Sequence, residues 1–256
     1  MDQIDEMITA YDEEAEATGW YGPEVIFGLT YAHVQPGQSM LDIGIGTGLG
    51  SILFRKAGLE IHGMDISPQM LDACRSKGFS SLHLHDLGKT PYPFDSESID
   101  HAVCAGVFNF FSDLSPVFQE TSRILRKGGL FVVGDRSENE VHAIEVGAEH
   151  TKSEKTVTMY IHSGKQIAEW MARYGFEPLR SLSFTVFMDR EKEPKACPQD
   201  PTWRGKGWAS NLSLKRSAKT ARPLNSSLCG EIYETSKPYQ MVCSDCNSTR
   251  ICPSFL

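Results

Sequence analysis

The 256-residue chain contains no run of 18 consecutive apolar residues, which excludes a membrane-spanning helix. Its first 20 residues hold no Lys or Arg and seven acidic side chains. Secretory signals and mitochondrial transit peptides need basic, acid-poor starts, so the expected location is cytoplasmic. Cysteine is scarce in the body, where only Cys74 and Cys104 occur; the other five are Cys197, Cys229, Cys243, Cys246 and Cys252. An odd total of seven without an export signal favours reduced thiols over a disulfide framework. Basic residues are short too. Through Arg190 there are 15 against 27 acidic residues, a net of −12, whereas from Glu191 onward there are 10 against 6, a net of +4. A body of that sign repels phosphate backbones, so nucleic acid is disfavoured as a partner. No internal repeat is visible.

What is present is an alternation. Residues 2–18 read as an acidic helix, with Ile4, Met7, Ile8, Tyr11 and Ala15 at helical spacing, and a second helix spans 23–34. Short apolar strands follow at 39–43, 60–64, 82–85, 99–105, 130–134 and 179–188. Helices fall between them at 49–57, 69–77, 114–125 and 164–174. This order predicts an α/β fold, a Rossmann-like open and mostly parallel sheet with helices on both faces. Beyond Glu191, Ser, Thr, Lys, Pro, Gly and Asn dominate and aliphatic residues lose their period. The expected divisions are an N-terminal helical lid at 1–36, an α/β domain at 37–190 and a low-order basic tail at 191–256.

The informative turn is Leu41-Asp42-Ile43-Gly44-Ile45-Gly46-Thr47-Gly48, closing a strand and opening a helix. Glycines at 44, 46 and 48 remove Cβ atoms where a ligand approaches backbone, and freed amides point at it from a helix N-terminus. A tight turn without a ligand explains the same glycines. The dinucleotide fingerprint fails in both registers, because Leu49 and Ser51 stand where its last glycine belongs. Asp65 ends the second strand and Asp86 the third. A carboxylate at the first place can accept both ribose hydroxyls, and one at the second an exocyclic amine. Each Asp alone is equally a helix cap or turn residue, and Ser67 itself could cap the next helix.

Taken with Gly63-Met64-Asp65-Ile66-Ser67-Pro68, His85-Asp86-Leu87, Ser98-Ile99-Asp100-His101-Ala102-Val103 and Ile124-Leu125-Arg126-Lys127-Gly128-Gly129-Leu130, residues 37–134 resemble a class I S-adenosylmethionine-dependent methyltransferase of the methyltransferase domain 11/25 type. More loosely, residues 1–190 resemble the Williams–Beuren region methyltransferase-like proteins. The resemblance implies S-adenosylmethionine as cofactor. It places Gly44, Ile45, Gly46 and Gly48 against the methionine part, with Asp42 orienting the loop or meeting the amino group through water. Asp65 would hold the ribose, with Ile66 against the adenine, and Asp86 and Leu87 would line the adenine edge. Cys104 and Ala105 would sit beside the methyl donor. It also implies a lid carrying Tyr11, Trp20 and Tyr21, and a seventh strand, expected near Lys195-Ala196-Cys197, where Pro198 intrudes. Asn109 stands where many relatives carry a His.

An activated methyl needs no protein nucleophile, only alignment, and a base helps only if the acceptor is protonated at neutral pH. No catalytic residue is assigned. His62, His83, His85, His101 and His162 are candidate bases in principle, with Asp135 and His162 at strand ends that could face the acceptor. Phe108, Phe110 and Phe111 could line an apolar acceptor pocket or pack as core. Cys243 and Cys246 have a zinc-ligand spacing, but neither a second such pair nor a His accompanies them in the tail, and no metal is expected. The leading function is methyl transfer to a small molecule. The alternatives are methylation of RNA or protein, and a non-catalytic cofactor-binding or partner protein.

Overall fold

The computed structural model describes residues 12–13, 15–16, 20–138, 141–146, 157–185 and 209–217. Residues 1–220 belong to one compact unit; 221–256 fall to a second, outside the described residues, as do Tyr11 and the Cys243–Cys246 pair. Within the first unit the strands are β1 (Ser39–Ile43), β2 (Glu60–Asp65), β3 (Ser81–Leu84), β4 (Ile99–Ala105), β5 (Leu125–Glu138), β6 (His142–Val146), β7 (Val157–Ser163), β8 (Phe176–Thr185) and β9 (Ala209–Ser217). The helices are α1 (Gly22–Thr30), α2 (Ile52–Lys56), α3 (Pro68–Ser76), α4 (Ser115–Ile124) and α5 (Gly164–Arg173).

Strands β3, β2, β1, β4 and β5 lie side by side in that order, all parallel. Parallel strands covered on both faces read as continuous apolar runs, and Ala102-Val103-Cys104-Ala105 in β4 does. Leu41, Ile43, Ala102, Cys104, Phe131 and Val133 point into one layer, with Phe108 and Phe118 beneath α4 and α5. Met40, Val103 and Val132 point into the other, with Phe54, Leu71 and Ile26 from the opposite helices. Phe54, Phe118 and Phe131 are fully buried, each stabilising the fold by about 1.5–3 kcal/mol. Gly129 lets β5 approach β4: a Cβ there would stand 2.4 Å from the Asp100 carbonyl oxygen.

The expected parallel sheet is present, and its far edge differs from expectation. The strand expected to begin near Lys195 is instead β9, well inside the segment read as low-order tail. It runs antiparallel between β5 and β8, pairing Leu130 with Arg216 through Arg136 with Ser210. Its neighbour β8 corresponds to the strand expected at 179–188. The α/β unit therefore extends past 190 to at least Ser217, and a chain cut after Asp200 would lose the strand that covers β5. A β6–β7 antiparallel hairpin in the polar stretch after β5 was not expected; β7 pairs in parallel with the last residues of β5.

Candidate active site

Sheet order reverses between β1 and β4, with β2 and β3 on one flank and β5 on the other. Ligands of open α/β sheets bind at the carboxyl ends of strands flanking such a point. A cavity of about 400 Å³ opens there. Of the residues expected at the cofactor, Asp42, Gly44, Ile45, Gly46, Asp65, Ile66, Asp86, Leu87 and Ala105 line it.

The three glycines of the turn do three different things. All have positive φ: Gly44 +72°, Gly46 +53° and Gly48 +87°. A Cβ on Gly46 would meet nothing within 4 Å, so this is the place where backbone is bared to a ligand. A Cβ on Gly44 would lie 2.5 Å from Val107, and one on Gly48 2.6 Å from Phe79. Those two glycines let the turn pack against β4's exit and the end of α3. Gly48 supports the turn from behind and does not line the cavity.

Three carboxylates stand at successive strand ends. Both oxygens of Asp65 accept backbone hydrogen bonds, Oδ2 from Gly46 N and Oδ1 from Ser67 N, each at 2.9 Å. Asp65 thus ties the glycine turn to the start of α3, where Ser67 Oγ caps the helix by accepting from Met70 N. Asp86 accepts from Gly88 N at 2.9 Å and pairs with Lys89 at 3.5 Å. The Gly88 hydrogen bond first, then Lys89, hold its carboxyl below the usual range. Asp42 is different. It is 2% exposed, and Oδ2 has no hydrogen-bond partner. Burial pushes its carboxyl up to about 7; Asp65 adds to the shift and nearby Ser51 opposes it. A buried carboxyl oxygen without a partner is costly unless a ligand completes it.

The turn is also clasped from the N-terminal side. Asp12 accepts from Thr47 Oγ1 at 2.6 Å and forms an ion pair with Lys77, whose Nζ donates to the Thr47 carbonyl at 2.9 Å. Cys74 donates Sγ–H to the Gly46 carbonyl at 3.1 Å, and burial pushes its thiol up to about 12. Trp20 lines the cavity, whereas Tyr21 is half exposed and does not. On the far flank, Glu120 accepts from Tyr92 N and from Arg123, and Tyr92 donates to the Leu87 carbonyl at 2.9 Å. This buried network fixes the loop that carries Asp86 and Leu87.

Cys104 departs from expectation: its side chain is 1% exposed and packs with Leu41 and Phe131, because alternation along β4 turns it into the core while Ala105 faces the cavity. Phe108 is likewise core, against Phe118, while Phe110 and Phe111 line the cavity. None of the five candidate histidines lines it. His101 bridges Gln38 and Leu130 N at the other end of β4, and burial pushes it down to about 4. His162 is buried behind the Phe110 segment. Asn109 is buried too, with Oδ1 unpartnered. Sequence reasoning missed Leu49, Gly50, Met70 and Val107 as lining residues. Leu49, Gly50 and Met70 follow strand ends at the start of a helical stretch, a position that could have marked them.

Residues 41–133 match the family described as methyltransferase domain. The chain is 27% identical to malonyl-[acyl-carrier protein] O-methyltransferase of Serratia marcescens over 64% of each protein. It is 36% identical to demethylmenaquinone methyltransferase of Deinococcus radiodurans over 38% of this chain and 42% of that one. The matches thus span less than two thirds of these relatives' lengths. Among solved structures, a chain from the complex between the Haloferax volcanii Trm112 methyltransferase activator and a methyltransferase superposes with a TM-score of 0.63 at 21% identity, covering 85% of this chain and 98% of that one. The 1,6-didemethyltoxoflavin-N1-methyltransferase of Burkholderia thailandensis, solved with 1,6-didemethyltoxoflavin and S-adenosylhomocysteine, gives 0.57 at 14% identity, covering 84% and 87%. An acid-lined cavity with an orphan carboxyl oxygen and one bared glycine fits a cationic nucleoside cofactor. Residues 41–133 thus match the methyltransferase domain family, and the sheet order and the cavity at its reversal are those of a class I methyltransferase fold.

Proposed function

We propose that the protein transfers a methyl group from S-adenosylmethionine to a small-molecule acceptor in the cytoplasm. The observation that carries this reading is the cavity at the β1–β4 switch point, where Gly46 bares the backbone and Asp42, Asp65 and Asp86 end three successive strands. Asp65 accepts the ribose hydroxyls, Ile66 and Leu87 flank the adenine, and Asp86 meets its edge. The turn at 44–48 holds the methionine part near Asp42, and Ala105 lies beside the methyl. Ile66 is 67% exposed, an apolar surface that such a ligand would cover. When bound, the cofactor supplies an activated methyl: an acceptor electron pair bonds its carbon while the carbon–sulfur pair stays on sulfur, leaving S-adenosylhomocysteine. The chain's task is alignment, which contributes up to roughly 7–11 kcal/mol.

Relatives named for malonyl-[acyl-carrier protein], demethylmenaquinone and 1,6-didemethyltoxoflavin support a small acceptor. The structural likeness to a chain solved with an activator protein supports a partner protein as a second element. Calorimetry with S-adenosylmethionine, followed by a methyl-release assay of the purified chain over metabolite fractions, tests the reading. Absence of binding would overturn it. Binding without turnover would leave a cofactor-binding protein, or one that waits for its activator.

A further inference from the structure

We infer that Val107, Phe110 and Phe111 form the acceptor subsite, that it takes a flat apolar ring, and that His162 is the residue positioning this wall. The inference rests on the methyl-transfer reading and names its acceptor. Asp65 and Asp86 end β2 and β3 on one flank of the glycine turn, whereas residues 105–111 leave β4 on the other. The cavity therefore has an acidic end and an aromatic end. Phe110 lines the cavity and is 56% exposed. Among the described residues, no Asp, Glu, His, Lys or Arg lines the cavity at 105–111. Recognition there must come from apolar area and ring stacking, which favour a flat partner.

The wall is built before any acceptor arrives. Residues 108–110 form a single 3-10 turn, with Phe108 anchored in the core against Phe118 at 5.4 Å. His162, at the end of β7 and 2% exposed, spans both ends of that turn. Its Nε2–H donates to the carbonyls of Phe111 at 2.9 Å and Phe108 at 3.2 Å. Its Nδ1 stands 3.0 Å from Gln166 Oε1, and Ser163 Oγ accepts from Gln166 N. The imidazole lies behind the wall and does not line the cavity, so it orients Phe110 and Phe111 without touching the acceptor.

The test uses full-length protein saturated with S-adenosylhomocysteine, with 2-naphthol as the flat probe and trans-2-decalol as its saturated counterpart. We expect 2-naphthol to bind and the decalol to bind at least tenfold more weakly. Phe110→Ala and His162→Leu should each weaken 2-naphthol about five- to tenfold. His162→Gln, which keeps a donor, should restore most of it, and S-adenosylhomocysteine affinity should stay within twofold throughout. Equal binding of both probes, or naphthol affinity untouched in Phe110→Ala, would overturn the subsite; untouched affinity in a folded His162→Leu would overturn the positioning role. A wild type that binds S-adenosylhomocysteine but not 2-naphthol sinks this inference alone. A wild type that binds neither sinks the methyl-transfer reading with it.

Discussion

The two ends of the parallel sheet use the same residue types in opposite ways. At the amino ends, polar groups close on one another. Asp100 accepts from Ser39 N at 2.8 Å, Ser39 Oγ at 2.9 Å and Arg126 at 2.6 Å, and although burial alone would raise its carboxyl, those partners hold it below the usual range. His101 is wedged between Gln38 and the Leu130 amide. At the carboxyl ends, Asp42 keeps an unpartnered oxygen and a raised pKa, Gly46 faces open space and Ile66 is exposed. Closed networks stabilise the fold, while open ones leave hydrogen-bonding capacity for a ligand at a cost in stability. Substitutions at the two ends should therefore separate stability from affinity.

The sharpest separation pairs two left-handed glycines. Gly46 and Gly37 both have positive φ and open space at the Cβ position, one at each end of the sheet. Valine at either should cost about 1–2 kcal/mol of stability through left-handed strain. Only Gly46→Val should abolish S-adenosylmethionine binding in calorimetry, because only there does the branched side chain enter the cavity. Equal affinity in the two variants would break the contrast. Next, Asp65→Ala should weaken cofactor binding by roughly 2–4 kcal/mol, since it removes a charged acceptor and loosens the glycine turn. Asp100→Ala should instead lower the melting temperature, by roughly 1.5–3 kcal/mol of stability, with affinity retained.

Asp42 should give an effect of comparable size, visible in pH dependence. Its carboxyl is raised from 3.8 to about 7 on folding, so the folded state binds the proton more tightly than the unfolded chain. The associated stability is full below about pH 4 and is lost as pH rises through 7. Denaturant titrations should therefore show wild type losing roughly 2–4 kcal/mol relative to Asp42→Asn between pH 4 and pH 8. Cofactor affinity should move the other way, rising about tenfold from pH 6 to pH 8 in wild type as the carboxylate forms, and staying flat in the Asn variant. The smallest effect belongs to the clasp on the turn: Asp12→Asn should speed cofactor release about fivefold in stopped flow, about 1 kcal/mol, with the fold intact.

Much of the domain was legible because it is local. The period of apolar residues marks β1 to β4 and the helices between them, and glycines and acids at strand ends mark the site, since backbone turns and helix starts are set by near neighbours. Cys104 and Ala105 differ only by which face of β4 each takes, and the strand's register decides that. The role of each glycine depends on Val107 and Phe79, which arrive from elsewhere in the chain. Asp12 meets Lys77 across 65 residues and His162 meets the Phe108 carbonyl across 54. The strand β9, polar and only weakly alternating, is a strand because β5 presents it with an unpaired edge. Composition and spacing determined the sheet, the strand ends and the kind of ligand they suit. Which oxygen stays unpartnered, which glycine is bared and which histidine stands behind the wall were decided by tertiary structure, because such contacts depend on segments far apart in sequence being packed side by side.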